Sequence, residues 1–128
     1  MNHIILVVDD DQLILNTMQK QFSGWDFQVY AADSPGAAKE ALKKVTPEII
    51  LLDLLLTKDD GSQEILDFLE SQERLQHVPV LVVTNMDKPE LKQMLLERGV
   101  KEYIIKGSLT LEELRDKVMG YLEPEKSN

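Results

Sequence analysis

Residues 6–11 read LVVDDD, three apolar side chains followed at once by Asp9, Asp10 and Asp11. Adjacent carboxylates repel, so a run placed where an apolar segment stops calls for a cation to join it. A fourth acid, Asp53, interrupts the run IILLDLLL, and a lone carboxylate among leucines is costly to bury unless it is paired or reaches a polar edge. Thr84 ends the run VLVV, and Lys106 ends YII. Mg²⁺ suits two or three carboxylates that leave several of its waters in place, which makes Asp9, Asp10 and Asp53 its candidate ligands. A carboxylate beside such a cation can attack phosphorus and give an aspartyl phosphate. In that chemistry the Lys106 ammonium shares the charge of the phosphoryl oxygens, and the Thr84 hydroxyl donates a hydrogen bond. The plain alternatives are a loop-capping acid at Asp53, a solvated charge at Lys106 and the polar end of an apolar strand at Thr84.

Five apolar runs can carry these residues: His3–Val8, Phe27–Ala31, Glu48–Leu56, Val80–Val83 and Tyr103–Ile105. Most are continuous rather than alternating, as in strands covered on both faces. Helical patterns lie between them. Asp11–Phe22 sets Ile14, Leu15, Met18 and Phe22 on one face, with Gly24 as the stop. Ser34-Pro35 supplies an N-cap and a first-turn proline, Ala37, Ala38, Ala41, Leu42 and Val45 form the buried stripe, and Pro47 follows. Asp60-Gly61-Ser62 opens a third helix with Ile65, Leu66 and Leu69 inward. Lys88–Arg98 is a fourth, stopped by Gly99, and Thr110-Leu-Glu-Glu113 is a capping-box pattern opening a fifth with Leu114, Val118 and Leu122 on one face. Alternating strands and helices predict a parallel sheet with helices on both faces, whose ligands sit beyond the carboxyl ends of the strands. Asp9, Asp10, Asp53, Thr84 and Lys106 all fall at such ends.

The chain has 128 residues, which fits one domain, here residues 1–123 with a frayed tail at 124–128. Apolar residues make up 43%, excluding a disordered chain, and the absence of cysteine excludes disulfides and zinc–thiolate sites. The first apolar run is too short for a signal peptide or a membrane span, so the expectation is a soluble cytoplasmic protein. A formal charge of −9 with no basic patch argues against nucleic acid and anionic membrane and favours cations and protein partners.

The set resembles the receiver domain of two-component response regulators (CheY-like): an acidic pair after the first strand, an aspartate on the third, a threonine ending the fourth, and an aromatic and a lysine around the fifth. The resemblance runs from Ile4 to about Leu122, and Asp60-Gly61 matches the family's usual DG. It implies a flavodoxin-like, doubly wound five-stranded parallel sheet in the order 2-1-3-4-5 with five helices. It implies that Asp53 accepts a phosphoryl group from a sensor histidine kinase or phosphotransfer protein. Asp9 and Asp10 would bind Mg²⁺ with the backbone carbonyl of Leu55. Thr84 and Tyr103 would be the switch pair and Lys106 would meet the phosphate. The face of the fourth helix, fifth strand and fifth helix would engage a target protein, as a monomer or a phosphorylation-dependent dimer. Such a domain is a switch rather than an enzyme, and here works alone or as part of a longer regulator.

Three positions depart from the family pattern. Gly107 follows the lysine where proline, usually with a cis bond, is common, so the loop after the fifth strand is expected to differ. Thr57 stands where proline is usual, and Asn85 stands where a small residue often follows the threonine, narrowing access to the phosphate. A pseudo-receiver that binds partners without being phosphorylated is one alternative. A haloacid-dehalogenase-type phosphatase using Asp9 is another, although Leu13 stands where that motif wants threonine or valine. Carboxylates of the wrong sign argue against a flavin phosphate loop. His3 and His77 have no ligand-spaced partners, Trp25 covers a core edge, and Met86 and Met94 fit packing near the output face.

Overall fold

The computed structural model describes residues 2–54 and 61–124. Five strands, β1 (His3–Val8), β2 (Phe27–Ala32), β3 (Ile49–Leu52), β4 (Val80–Thr84) and β5 (Glu102–Ile105), alternate with five helices. These are α1 (Gln12–Gly24), α2 (Pro35–Lys44), α3 (Gly61–Ser71), α4 (Pro89–Glu97) and α5 (Leu111–Leu122), with a 3₁₀ turn at Glu73–Leu75 before β4. The sheet is parallel throughout and ordered β2-β1-β3-β4-β5, the expected doubly wound arrangement.

Successive strand residues point to opposite faces, and here both faces are dry. Leu6, Val8, Ile50, Leu52 and Val82 pack with Ala38, Leu42, Ile65, Leu69 and Leu95 of α2, α3 and α4. Ile5, Val7, Ile49, Leu51, Leu81 and Val83 pack with Leu15, Met18 and Phe22 of α1 and Leu114 and Val118 of α5. Every residue of β3 is buried, which explains why its sequence is continuous rather than alternating.

The helix starts follow the sequence. Ser34 accepts the Ala37 N–H at 3.1 Å, with Pro35 in the first turn. Thr110 and Glu113 form the reciprocal capping box. The end of α1 does not fall where expected. The helix runs through Gly24, and the left-handed residue is Asp26, φ 68°. Trp25 sets this ending: its ring packs edge-on against Phe22 at 5.3 Å and lies under the Arg115 guanidinium at 4.6 Å. Aspartate tolerates the left-handed conformation that follows. Strand β3 is shorter than the apolar run Glu48–Leu56, ending at Leu52. Asp53 lies just beyond it, its N–H still donating to the Val8 carbonyl at 2.8 Å. The Asp60 helix opening and the Thr57 departure lie outside the described residues, as does the tail beyond Pro124.

After β5 the chain turns sharply over Ile105–Ser108, closed by Ser108 N–H to the Ile105 carbonyl at 3.1 Å. Gly107 occupies the third position with φ 85°, as a type II turn requires. No cis peptide occurs among the described residues, so the corner is made by glycine in place of the family's usual proline. A Cβ at Gly107 would meet nothing within 4 Å, so alanine there pays only for its backbone angle. Gly107→Ala is expected to lower unfolding free energy by about 1 kcal/mol, read from the midpoint of a urea titration.

Candidate functional site

The parallel register brings the carboxyl ends of four strands level. Val8 pairs with Leu52, Leu52 with Val82, and Thr84 with Ile105. Asp9 and Asp53 therefore emerge side by side one residue past their strands. Lys106 emerges beside Thr84, whose carbonyl accepts the Lys106 N–H at 2.7 Å. The residues expected from the sequence do converge.

One carboxylate oxygen each from Asp9, Asp10 and Asp53 lies within 4.8 Å of the others. Asp9 and Asp53 are buried and Asp10 is exposed. Lys106 Nζ reaches Asp9 Oδ2 at 2.7 Å and Asp53 Oδ2 at 3.4 Å. Asp9 Oδ1 accepts a second hydrogen bond, from the Asp11 N–H at 2.9 Å. The third acid of LVVDDD has a different task. Asp11 caps α1, its Oδ1 accepting from Leu13 N–H at 3.0 Å and Ile14 N–H at 3.3 Å.

These contacts leave Asp53 less compensated than Asp9. Burial first, then the negative charge of Asp9, pushes the Asp53 carboxyl up to about 6 against the opposing pull of Lys106. The Lys106 ammonium is held above its ordinary range: burial works against its charge, but the hydrogen bond to Asp9 and the charge of Asp53 outweigh that.

The three carboxylates suit a hard cation. Mg²⁺ holds oxygen ligands at about 2.1 Å, so adjacent ligands stand about 3 Å apart and opposite ones about 4 Å. The carboxylate spread needs only a modest closing-in of side chains, with water completing the shell. The Leu55 carbonyl expected as a further ligand lies outside the described residues.

A cavity of about 150 Å³ opens over Asp53, lined by Asp10, Thr84, Asn85, Met86 and Lys106 among others. Thr84 is 1% exposed, and its Oγ1 accepts the Met86 N–H at 3.2 Å. Tyr103 is half-buried, and its hydroxyl donates to the Met86 carbonyl. The backbone of Met86 thus touches both residues expected to switch, a link that side-chain spacing could not reveal. Asn85 is exposed and borders this cavity.

Other residues are settled by their contacts. Trp25 covers a core edge as expected, and Met86 packs on the core. Met94 lies on α4 and is 41% exposed. His3 stands at a strand start but has two close partners, Glu48 and Glu123, that sequence spacing did not disclose. No helix among the described residues is long and apolar enough to cross a membrane.

Known proteins share this fold. Residues 5–119 match the response regulator receiver domain family. The response regulator protein GraR of Staphylococcus aureus is 29% identical over 106 residues, covering 83% of this chain and 46% of GraR. The chain thus spans about half the length of the curated relatives it matches. A two-component response regulator from Clostridium difficile superposes with a TM-score of 0.84 at 21% identity, covering 98% of this chain and 99% of that one. The BeF3-activated receiver domain of Klebsiella pneumoniae RstA gives 0.81 at 24%, covering 94% and 99%. With its parallel sheet, acidic cluster and family match in agreement, the chain belongs to the response regulator receiver domain family of two-component systems.

Proposed function

We propose that Asp53 is a phosphoacceptor and that its phosphorylation, dependent on Mg²⁺, shifts the partner preference of the domain. The observation that carries this reading is the placement of Asp53: a buried, under-compensated carboxylate that opens into the same small cavity as Thr84 and Lys106. Asp53 attacks the phosphorus of a phosphohistidine on a sensor kinase or phosphotransfer protein. The new O–P bond forms as the P–N bond breaks, and the imidazole leaves with the electron pair. Mg²⁺, held by Asp9, Asp10 and Asp53, supplies positive charge to the transferring group when bound. Lys106 already lies between Asp9 and Asp53, and reaches a phosphoryl oxygen by a small swing from its 3.4 Å contact. Belonging to the family of a receiver solved in a BeF3-activated state supports the same assignment.

The shift runs through Met86. A hydroxyl both accepts and donates, so Thr84 can turn its proton to a phosphoryl oxygen. Drawing Thr84 toward the phosphate loosens its contact with the Met86 N–H, while Tyr103 holds the carbonyl of the same residue. Helix α4 follows directly. Leu95 is its buried residue, and its N-cap, Lys88, makes no side-chain capping bond. A lightly anchored helix beside the switch pair suits a population shift on the α4–β5–α5 face, where a target protein would dock.

The phosphodonor has a surface to rest on. A groove of about 340 Å³ between α1 and the β5–α5 loop is lined chiefly by apolar side chains, with Leu13 74% exposed at its rim. Ile14 and Lys106 line both this groove and the Asp53 cavity, so a donor seated there faces the acceptor.

Incubation with acetyl phosphate and Mg²⁺, followed by intact mass, is expected to show one added phosphoryl group that is lost in Asp53→Ala and on chelation. No gain under any condition favours the pseudo-receiver. Lys106→Met is expected to bind Mg²⁺ more tightly by calorimetry, because the competing ammonium is gone, yet to be phosphorylated more slowly. Leu13→Glu is expected to slow transfer from a phosphohistidine donor at least tenfold while leaving the acetyl phosphate rate within about twofold. Equal loss on both donors would place Leu13 outside the docking surface.

A further inference from the structure

Helix α4 is fastened differently at its two ends. At the carboxyl end Gly99 takes φ 102°, a left-handed conformation that glycine adopts without steric cost. The turn lets the Gly99 N–H donate to the Leu96 carbonyl and the Val100 N–H to the Leu95 carbonyl, both at 3.1 Å. This pair of bonds is the Schellman closure, and Leu95 and Val100 are buried in the same core, as that motif favours.

Arg98, the capping residue just before this turn, reaches across to α3. Its Nη2 donates to Asp67 Oδ1 at 2.9 Å and to Glu70 Oε1, and its Nη1 donates to Gln63 Oε1. Gln63, Asp67 and Glu70 fall on one stripe of α3, so a single planar guanidinium takes three acceptors from one helix face. A lysine ammonium, a point charge on a flexible stem, does not reproduce that fork. Apolar packing leaves the span open. A groove of about 350 Å³ lies between α3 and the turn after α4, lined by Leu66, Leu69, Leu75, Val80 and Val100, with Glu70 and Arg98 also on its wall.

The amino end is held by the switch pair instead. Lys88, its N-cap, makes no side-chain capping bond. The Tyr103 hydroxyl donates to the Met86 carbonyl and also meets the Lys88 backbone, while Thr84 accepts the Met86 N–H. A rearrangement of Thr84 and Tyr103 therefore reaches the first turn of α4 directly and finds the last turn anchored elsewhere. We propose that Arg98 is the pivot of α4: bonded to three acceptors on α3, it holds the carboxyl end while the amino end moves with the switch pair. The motion rests on the phosphoacceptor reading of Asp53, whereas the anchor stands on contacts in the resting chain.

Asp67 and Glu70 are exposed, and exposed ion pairs are individually weak. Here they share one half-buried guanidinium, so a single substitution removes every bond of the fork at once.

Backbone amide exchange, followed by NMR on the full unphosphorylated chain, tests the anchor. Arg98→Gln removes the fork, and the double variant Asp67→Asn with Glu70→Gln removes its carboxylates without touching α4. Both are expected to speed exchange of the Glu97, Gly99 and Val100 amides about fivefold by local opening, with the amides of β1 and β3 unchanged. Gly99 and Val100 amides unmoved in both variants overturn the pivot, and so does a loss of protection shared equally by β3. Acetyl phosphate and Mg²⁺ then test the motion, with intact mass confirming the added phosphoryl group. The Lys92 and Gln93 amides are expected to change while Gly99 and Val100 hold. A change of equal size at both ends of α4, or none at either, overturns the pivot. If no phosphoryl group is added, the phosphoacceptor reading fails, and the unphosphorylated comparison decides the pivot alone.

Discussion

Lys106 is the counter-charge on which the carboxyl edge of this sheet depends. Two carboxylate charges as close as those of the acidic cluster, within 4.8 Å, repel by about 3 kcal/mol at the effective dielectric of a protein surface. Water dissipates part of that at exposed Asp10 but little at buried Asp9. The ammonium at 2.7 Å from Asp9 offsets the repulsion, and its 3.4 Å reach to Asp53 does so only in part. The cluster is consequently stable enough to fold around and still short of positive charge. That shortfall is what suits the cluster to a divalent cation.

The position of Lys106 is itself a product of sheet register. Its N–H is bonded to the Thr84 carbonyl, the last rung between β4 and β5, so the ammonium is aimed by backbone pairing before its side chain makes any contact. A slip of one residue in β5 would turn Lys106 to the opposite face and exchange the buried for the exposed set along the strand. The alternation of two dry faces opposes such slips. Ile104, between the half-buried Tyr103 and Ile105, belongs to the α1–α5 core, whereas Tyr103 packs on the α4 side. The same period that buries Ile104 therefore delivers Tyr103 to Met86 and aims Lys106 at the acids. The Gly107 turn completes this by carrying the chain away from the cavity immediately after the lysine.

Much of this was legible in the sequence because it depends on period and on strand ends. Continuous apolar runs announced buried parallel strands, and the caps at Ser34 and Thr110 announced helix starts. Acids, hydroxyl and ammonium at the ends of those runs announced the site. What escaped depends on contacts between distant residues. The end of α1 was misplaced because Gly24 is the local signal, whereas Trp25, stacked with Phe22 and Arg115, decides the outcome. The degree of exposure of Met94, 41% on α4, likewise has no local signal. His3 looked solitary because its partners stand 45 and 120 residues away. The role of the Met86 backbone carries no side-chain signature at all.

The same contacts bear on which carboxylate would act as nucleophile. A phosphatase reading built on Asp9 requires that carboxylate to present a lone pair to phosphorus. Asp9 instead has one oxygen on the Asp11 N–H and the other on Lys106, and it is 2% exposed. Attack from Asp9 would break a short ion pair and a backbone hydrogen bond, and would take from the half-buried Lys106 ammonium its nearer partner. Asp53 faces no such obstacle. Its contact with Lys106 is the longer of the two, its basicity is raised by burial and by Asp9, and it borders the cavity. The asymmetry follows from the chain's own geometry: Asp9 is held by the turn into α1, whereas Asp53 is left at the end of a strand with its charge only half answered.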